Sequence, residues 1–278
     1  MKMKLILTLG LLFSLESFSS NHQVTFAFWN KSDVNLYYSL PAEIDKTTKV
    51  LFIIHGGSRN AEEYLEAWKK YAIDKNIILV APEFTKEDYK FYYILERASD
   101  TGKINKNTDD YLDQSIDIFF SFIKSKYDLS VDKYKIYGHS GGGMFVQRIL
   151  LFNNSDRVSE AVIANPTWYT SITNNKFPYG IKNSNLSSEH IKRYFSKKVY
   201  LLIGEQDRGF SNTKIKGILN QGDNRFERAN NFMNNLISIS DQFDIPLRWT
   251  FKVVQGVGHQ NKKMVIEASK ILLSDVNQ

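Results

Sequence analysis

Short apolar runs alternate with longer amphipathic stretches along most of the chain. Residues 23–28 and 34–40 read as two opening strands, joined by a polar turn at Asn30-Lys31-Ser32-Asp33. Val50-Leu51-Phe52-Ile53-Ile54 is continuously apolar, which suits a strand covered on both faces in a parallel sheet. Asn60 opens a helical pattern through Ile73, with Tyr64, Leu65, Trp68, Tyr71 and Ala72 recurring at helical spacing. Residues 77–80 form a further short strand that Pro82 ends, and residues 83–108 show no period, so they read as a long loop. Residues 109–127 return to helix, with Leu112, Ile116, Phe119, Phe120, Ile123 and Tyr127 on one face. Strands at 134–137, 158–164, 199–203 and 247–254 then alternate with helices at 141–152, 225–240 and 261–273.

This alternation predicts an α/β fold, a doubly wound, mostly parallel sheet flanked by helices. Residues 165–198 are too many for an ordinary connection and are expected to form a lid-like insertion in a single domain, residues 20–278.

The N-terminus has its own pattern. A basic start, Met1-Lys2-Met3-Lys4, precedes an apolar run from Leu5 to Leu15, and small residues Ser17 and Ser19 follow. That order is the layout of a secretory signal peptide cut after Ser19, so export to the periplasm or beyond is expected.

Composition narrows the chemistry. The absence of cysteine removes disulfide scaffolds, thiol catalysis and zinc-finger sites. A net charge of +6 comes from scattered lysines without a basic stripe, so no nucleic-acid partner is expected. No run reaches the roughly 18 apolar residues of a membrane anchor.

Gly138-His139-Ser140-Gly141-Gly142 fits G-x-S-x-G, with a strand running into it and a helix running out. A serine on that turn stands clear of the sheet, beside a helix N-terminus that favours developing negative charge. Serine needs a base oriented by an acid. Of the five histidines, His259 follows the last strand, where it can reach Ser140; His22, His55, His139 and His190 are worse placed. Asp207 follows the strand after the elbow and is preferred to its neighbour Glu205, with Asp223, Asp241 and Asp244 as weaker candidates. The order Ser140, Asp207, His259 is the nucleophile–acid–base order of this architecture. His55-Gly56-Gly57-Ser58 leaves a strand on small residues, so the N–H of Gly57, or of its rival Ser58, joins that of Gly141 as oxyanion donor. Trp168 and Tyr169 are candidate substrate contacts, with Phe91, Tyr92 and Tyr93 a second candidate wall. Arg225 and Glu227 read as a structural ion pair.

These motifs together resemble the α/β-hydrolase superfamily, and within it secreted esterases similar to polyhydroxyalkanoate depolymerases and feruloyl esterases. The likeness spans residues 35–273. It departs in lacking the cysteine that depolymerases carry beside the His-Gly step, so polymer hydrolysis does not come with it. The resemblance implies an exported serine hydrolase acting on small or oligomeric carboxylic esters, with no metal or organic cofactor. A peptidase or other triad hydrolase, and a catalytically silent binding protein on the same fold, are the alternatives; neither substrate group nor oligomeric state is readable.

Overall fold

The computed structural model describes residues 21–209 and 215–274; the signal-peptide segment expected at residues 1–19 lies outside the described residues. Eight strands form one sheet: β1 (Asn21–Phe26), β2 (Val34–Ser39), β3 (Lys49–Ile54), β4 (Ile77–Glu83), β5 (Tyr134–His139), β6 (Val158–Ala164), β7 (Val199–Gly204) and β8 (Trp249–Val254). Their spatial order is β1-β2-β4-β3-β5-β6-β7-β8. The first two pairings are antiparallel and all the rest parallel. The helices are α1 (Ala61–Lys69), α2 (Ser115–Lys126), α3 (Gly141–Phe152), α4 (Ser188–Ser196), α5 (Lys216–Leu219), α6 (Arg225–Phe243) and α7 (Asn261–Leu272). This is the mostly parallel α/β sheet expected from the pattern, and it has the α/β-hydrolase fold that the resemblance implies.

The period-two alternation of a strand sends successive side chains to opposite faces. In β3, Val50, Phe52 and Ile54 enter one core, with Phe119 and Phe120 of α2 and Phe145 and Ile149 of α3. Leu51 and Ile53 enter the other, with Leu65 and Trp68 of α1 and Met264 and Val265 of α7. Both faces are therefore covered, which is why these strands read as unbroken apolar runs.

The segment expected to be a featureless loop, 83–108, contributes several residues to the core. Tyr89, Tyr92, Ile94, Leu95 and Ala98 are buried, and residues 92–94 make a short 3-10 turn. Aromatic packing rather than periodicity orders it: Tyr92 stacks on Phe84 and Phe145, with ring centroids 5.7 and 5.9 Å away. The helix expected from 109 begins at Ser115, after a 3-10 turn at Thr108–Asp110. The 165–198 segment is coil except for α4, whose N-terminus His190 caps with Ser187. Among the described residues no helix is long and apolar enough to cross a membrane.

Candidate active site

The parallel strands deliver all the candidate groups to one edge, at their C-terminal ends, where open α/β sheets place their sites. Ser140 lies between β5 and α3 with φ 56° and ψ −118°. A serine there is strained, and strain of this kind persists only where the surroundings fix it. The flanking glycines show why the motif reads as it does. A Cβ on Gly138 would lie 2.1 Å from the carbonyl oxygen of Gly142, and one on Gly142 would lie 2.1 Å from that of Ile54. The turn closes only with bare backbone at both positions.

His259 leaves the loop after β8. Its Nε2 is 3.0 Å from Ser140 Oγ, and its Nδ1 is 2.7 Å from Asp207 Oδ2. Asp207 is 2% exposed and sits in a turn whose amide donates to the carbonyl of Gly204. Glu205, the rival acid, points elsewhere and accepts from the backbone N–H of Gly256 at 2.9 Å. The structure thus brings Ser140, His259 and Asp207 into one hydrogen-bonded chain. Asp223, Asp241 and Asp244 have no part in it.

On the β3 side, Gly56 packs against the elbow, and a Cβ on it would lie 3.4 Å from that of Ser140. Gly57 opens into free space, and its N lies 3.4 Å from where a Gly141 Cβ would sit. The Gly57 amide nitrogen is therefore close to the residue that follows Ser140, and the first-turn N–H groups of α3 lack intrahelical acceptors. Ser58 follows on the exposed loop.

That loop is anchored by residues the sequence reading did not single out for it. His55 is fully buried; its Nδ1–H donates to the Gly56 carbonyl at 2.9 Å, and its Nε2 accepts from the Phe84 amide at 3.0 Å. Burial pushes its pKa down to about 4, so the ring is neutral near pH 7 and its tautomer is fixed by those two partners. Tyr92 donates from its hydroxyl to the His55 carbonyl at 2.7 Å. Arg59, at φ 63°, donates to the carbonyls of Phe84, Thr85, Tyr89 and Lys90 and lies over the Tyr92 ring.

Asn165 is the equivalent clamp on the other side. It is fully buried at φ 46°; its Nδ2 donates to the Gly258 carbonyl at 2.9 Å, and its Oδ1 accepts from the Gly204 amide at 2.8 Å. One side chain thus ties the turn carrying Asp207 to the loop carrying His259. His139 lies below, its Nδ1 2.9 Å from the Tyr64 hydroxyl and its ring 4.9 Å from that of His259; burial holds it well below the usual imidazole range.

One expectation changes. Arg225 and Glu227 are not paired: two residues apart on a helix, they do not face each other. Glu227 instead accepts from the amide of Asp223 at 2.9 Å, and Arg225 Nη1 donates to Asp207 Oδ1 at 3.0 Å. The two candidate substrate contacts, Trp168 and Tyr169, are both buried. Tyr169 is fully buried, stacks on Phe232 at 4.2 Å, and its backbone N–H and C=O both bond Gln221. Trp168 is 3% exposed, held between the guanidinium of Arg148 and the ring of Tyr179. Among the described residues no cluster of side chains suits a metal ion.

The family model described as “Putative esterase” matches residues 30–260. Poly(aspartic acid) hydrolase-1 from Sphingomonas sp. KT-1 is 27% identical with a TM-score of 0.85, over 92% of this chain and 99% of that one. A poly(3-hydroxybutyrate) depolymerase from Bordetella parapertussis is 23% identical with a TM-score of 0.84, over 91% and 89%. A fluorophosphonate-binding serine hydrolase of Staphylococcus aureus shares the fold at 15% identity and a TM-score of 0.59, over 94% and 99%. No curated protein sequence matches. With a family model covering most of its length, this chain belongs to the esterase family, as a serine esterase-type hydrolase on the α/β-hydrolase fold.

Proposed function

We propose that the protein is an exported carboxylic-ester hydrolase that works through Ser140, His259 and Asp207 and an acyl-enzyme. The observation that carries this reading is the unbroken chain from Ser140 Oγ through His259, at 3.0 Å, to Asp207, at 2.7 Å. Nucleophile and base at that separation can exchange a proton without rearrangement. His259 takes the Ser140 proton as Oγ attacks the acyl carbon, and Asp207 steadies the imidazolium without taking the proton itself. The oxyanion receives hydrogen bonds from the amides of Gly57 and Gly141. The imidazolium then protonates the leaving alkoxide; water, deprotonated by His259, attacks the ester on Ser140, and the imidazolium returns that proton to Oγ as the acid leaves. Every step is proton and acyl transfer, so the residues named are sufficient without a cofactor.

A second reading, amide hydrolysis, is favoured by the 27% identity to poly(aspartic acid) hydrolase-1, whose named substrate is a polyamide. The same triad serves either bond, and the difference lies in protonating a more basic leaving group. Export is part of the proposal and is supported by the basic, apolar and small-residue order of residues 1–19. The test is hydrolysis of p-nitrophenyl esters, from acetate to long chains, beside oligo-aspartate, by the protein and its Ser140→Ala variant. Ester turnover that disappears with Ser140 is the expected result. Turnover of oligo-aspartate alone favours the second reading, and ester turnover that survives in Ser140→Ala refutes the nucleophile.

A further inference from the structure

Asp207 divides its carboxylate between two partners. Oδ2 faces His259 Nδ1 at 2.7 Å, and Oδ1 accepts from Arg225 Nη1 at 3.0 Å. Arg225 is the first residue of α6, so the helix start sets its position, and the amide of the next residue, Phe226, donates to the Asp207 carbonyl at 3.2 Å. The acid is therefore held by its side chain and its backbone from the same helix turn. Arg225 is about one-fifth exposed, against 2% for Asp207, and its Nε is buried without a hydrogen-bond partner among the described residues.

We infer that Arg225 is a positioning residue of the triad, which fixes the Asp207 carboxylate toward His259. The inference rests on the proposed role of Ser140, Asp207 and His259. The geometry supports it. A carboxylate turns readily about its terminal torsion, which is broad and roughly two-fold, so a donor on Oδ1 is what restrains the other oxygen in line with Nδ1.

Other charged or titratable groups lie around this pair. His139 lies at the end of β5, Tyr169 follows β6, Glu205 precedes Asp207, and Arg208 lies over the Phe226 ring. Arg228, one turn further along α6, is turned to the carbonyls of Gly222 and Thr167. Tyr169 is held neutral by burial, and His139 is held neutral in the same way. Arg225 is bonded to the triad acid itself.

The test compares R225Q, R225M and R225K with the wild-type protein by kcat and KM for a p-nitrophenyl ester. Removing the guanidinium should lower kcat several-fold with KM little changed. R225K keeps a donor for Oδ1 and should recover most of the lost rate. In parallel, proton NMR reads the His259 Nδ1–H signal, which should shift in R225Q and R225M as the freed carboxylate turns about its terminal torsion. A purely structural role would lower the rate and leave the Nδ1–H signal in place. An unmoved Nδ1–H signal in both neutral variants overturns the inference, as does R225K behaving like R225Q. If Ser140→Ala hydrolyses at the wild-type rate, the triad reading fails instead, and the NMR comparison still decides the coupling of Arg225 to Asp207.

Discussion

His55 makes the folded state sensitive to acid. Its ring is fully buried, both nitrogens are engaged by backbone groups, and burial pushes its pKa down from 6.5 to about 4. In the unfolded chain the same imidazole protonates near the ordinary value, so below that pH the unfolded state binds the extra proton and gains. The stabilisation is present in full above pH 6.5 and is lost as the pH falls toward 4. The difference of about 2.5 pH units corresponds to about 3 kcal/mol at most. A fully buried ring needs no discount for solvent screening. The perturbation is His55→Gln, which keeps a polar side chain near the Phe84 amide but cannot titrate. Urea unfolding at pH 7.5 and at pH 4.5 gives the free energies. His55→Gln should be the less stable protein at pH 7.5, and its deficit should shrink by about 2–3 kcal/mol at pH 4.5. His139 is also held neutral by burial, but it titrates in both proteins and cancels from the difference. A deficit that stays constant with pH would show that His55 is not held neutral by burial.

Three further outcomes follow from the geometry. Asp207→Asn should cut kcat about 10³–10⁴-fold and leave a measurable residual rate, because the oxyanion donors and Ser140 stay in place; full activity in a stopped assay would move the acid elsewhere. Asn165→Ala strands the Gly204 amide and the Gly258 carbonyl at a fully buried position, so a calorimetric scan should show a loss of about 2–3 kcal/mol, with kcat falling and KM little changed. Gly142→Ala places a methyl 2.1 Å from the Ile54 carbonyl, which is backbone and cannot swing away, so soluble folded protein should be largely lost; a wild-type melting curve would contradict the elbow packing.

Much of the fold was legible because its signals are local. Val50–Ile54 and the run into Gly204 read as buried strands since both faces of the sheet are covered, and the turn at Ser140 is written in two glycines that touch backbone. The candidate triad was legible for a related reason: each member follows a recognisable strand, and strand order alone sets them on one edge. What the sequence did not expose depends on contacts far apart in the chain. Arg225 reaches Asp207 across 18 residues, and Asn165 joins two loops 39 and 93 residues away. Neither partner is visible from a local pattern. Residues 83–108 failed for the same reason: Tyr92 packs on Phe145 of α3 and Tyr89 on Trp29 as well as Phe84, and no period marks that. Trp168 and Tyr169 sit after the right strand, but Arg148, Tyr179 and Phe232 cover them.

The central claim is that Ser140 is the nucleophile of an acyl-transfer site. The most direct measurement is labelling with a fluorophosphonate, followed by peptide mass spectrometry to locate the adduct. The account predicts a single adduct on the peptide containing Ser140, blocked by prior incubation with an ester and absent from Ser140→Ala. An adduct on another serine, or labelling that persists in Ser140→Ala, would contradict it.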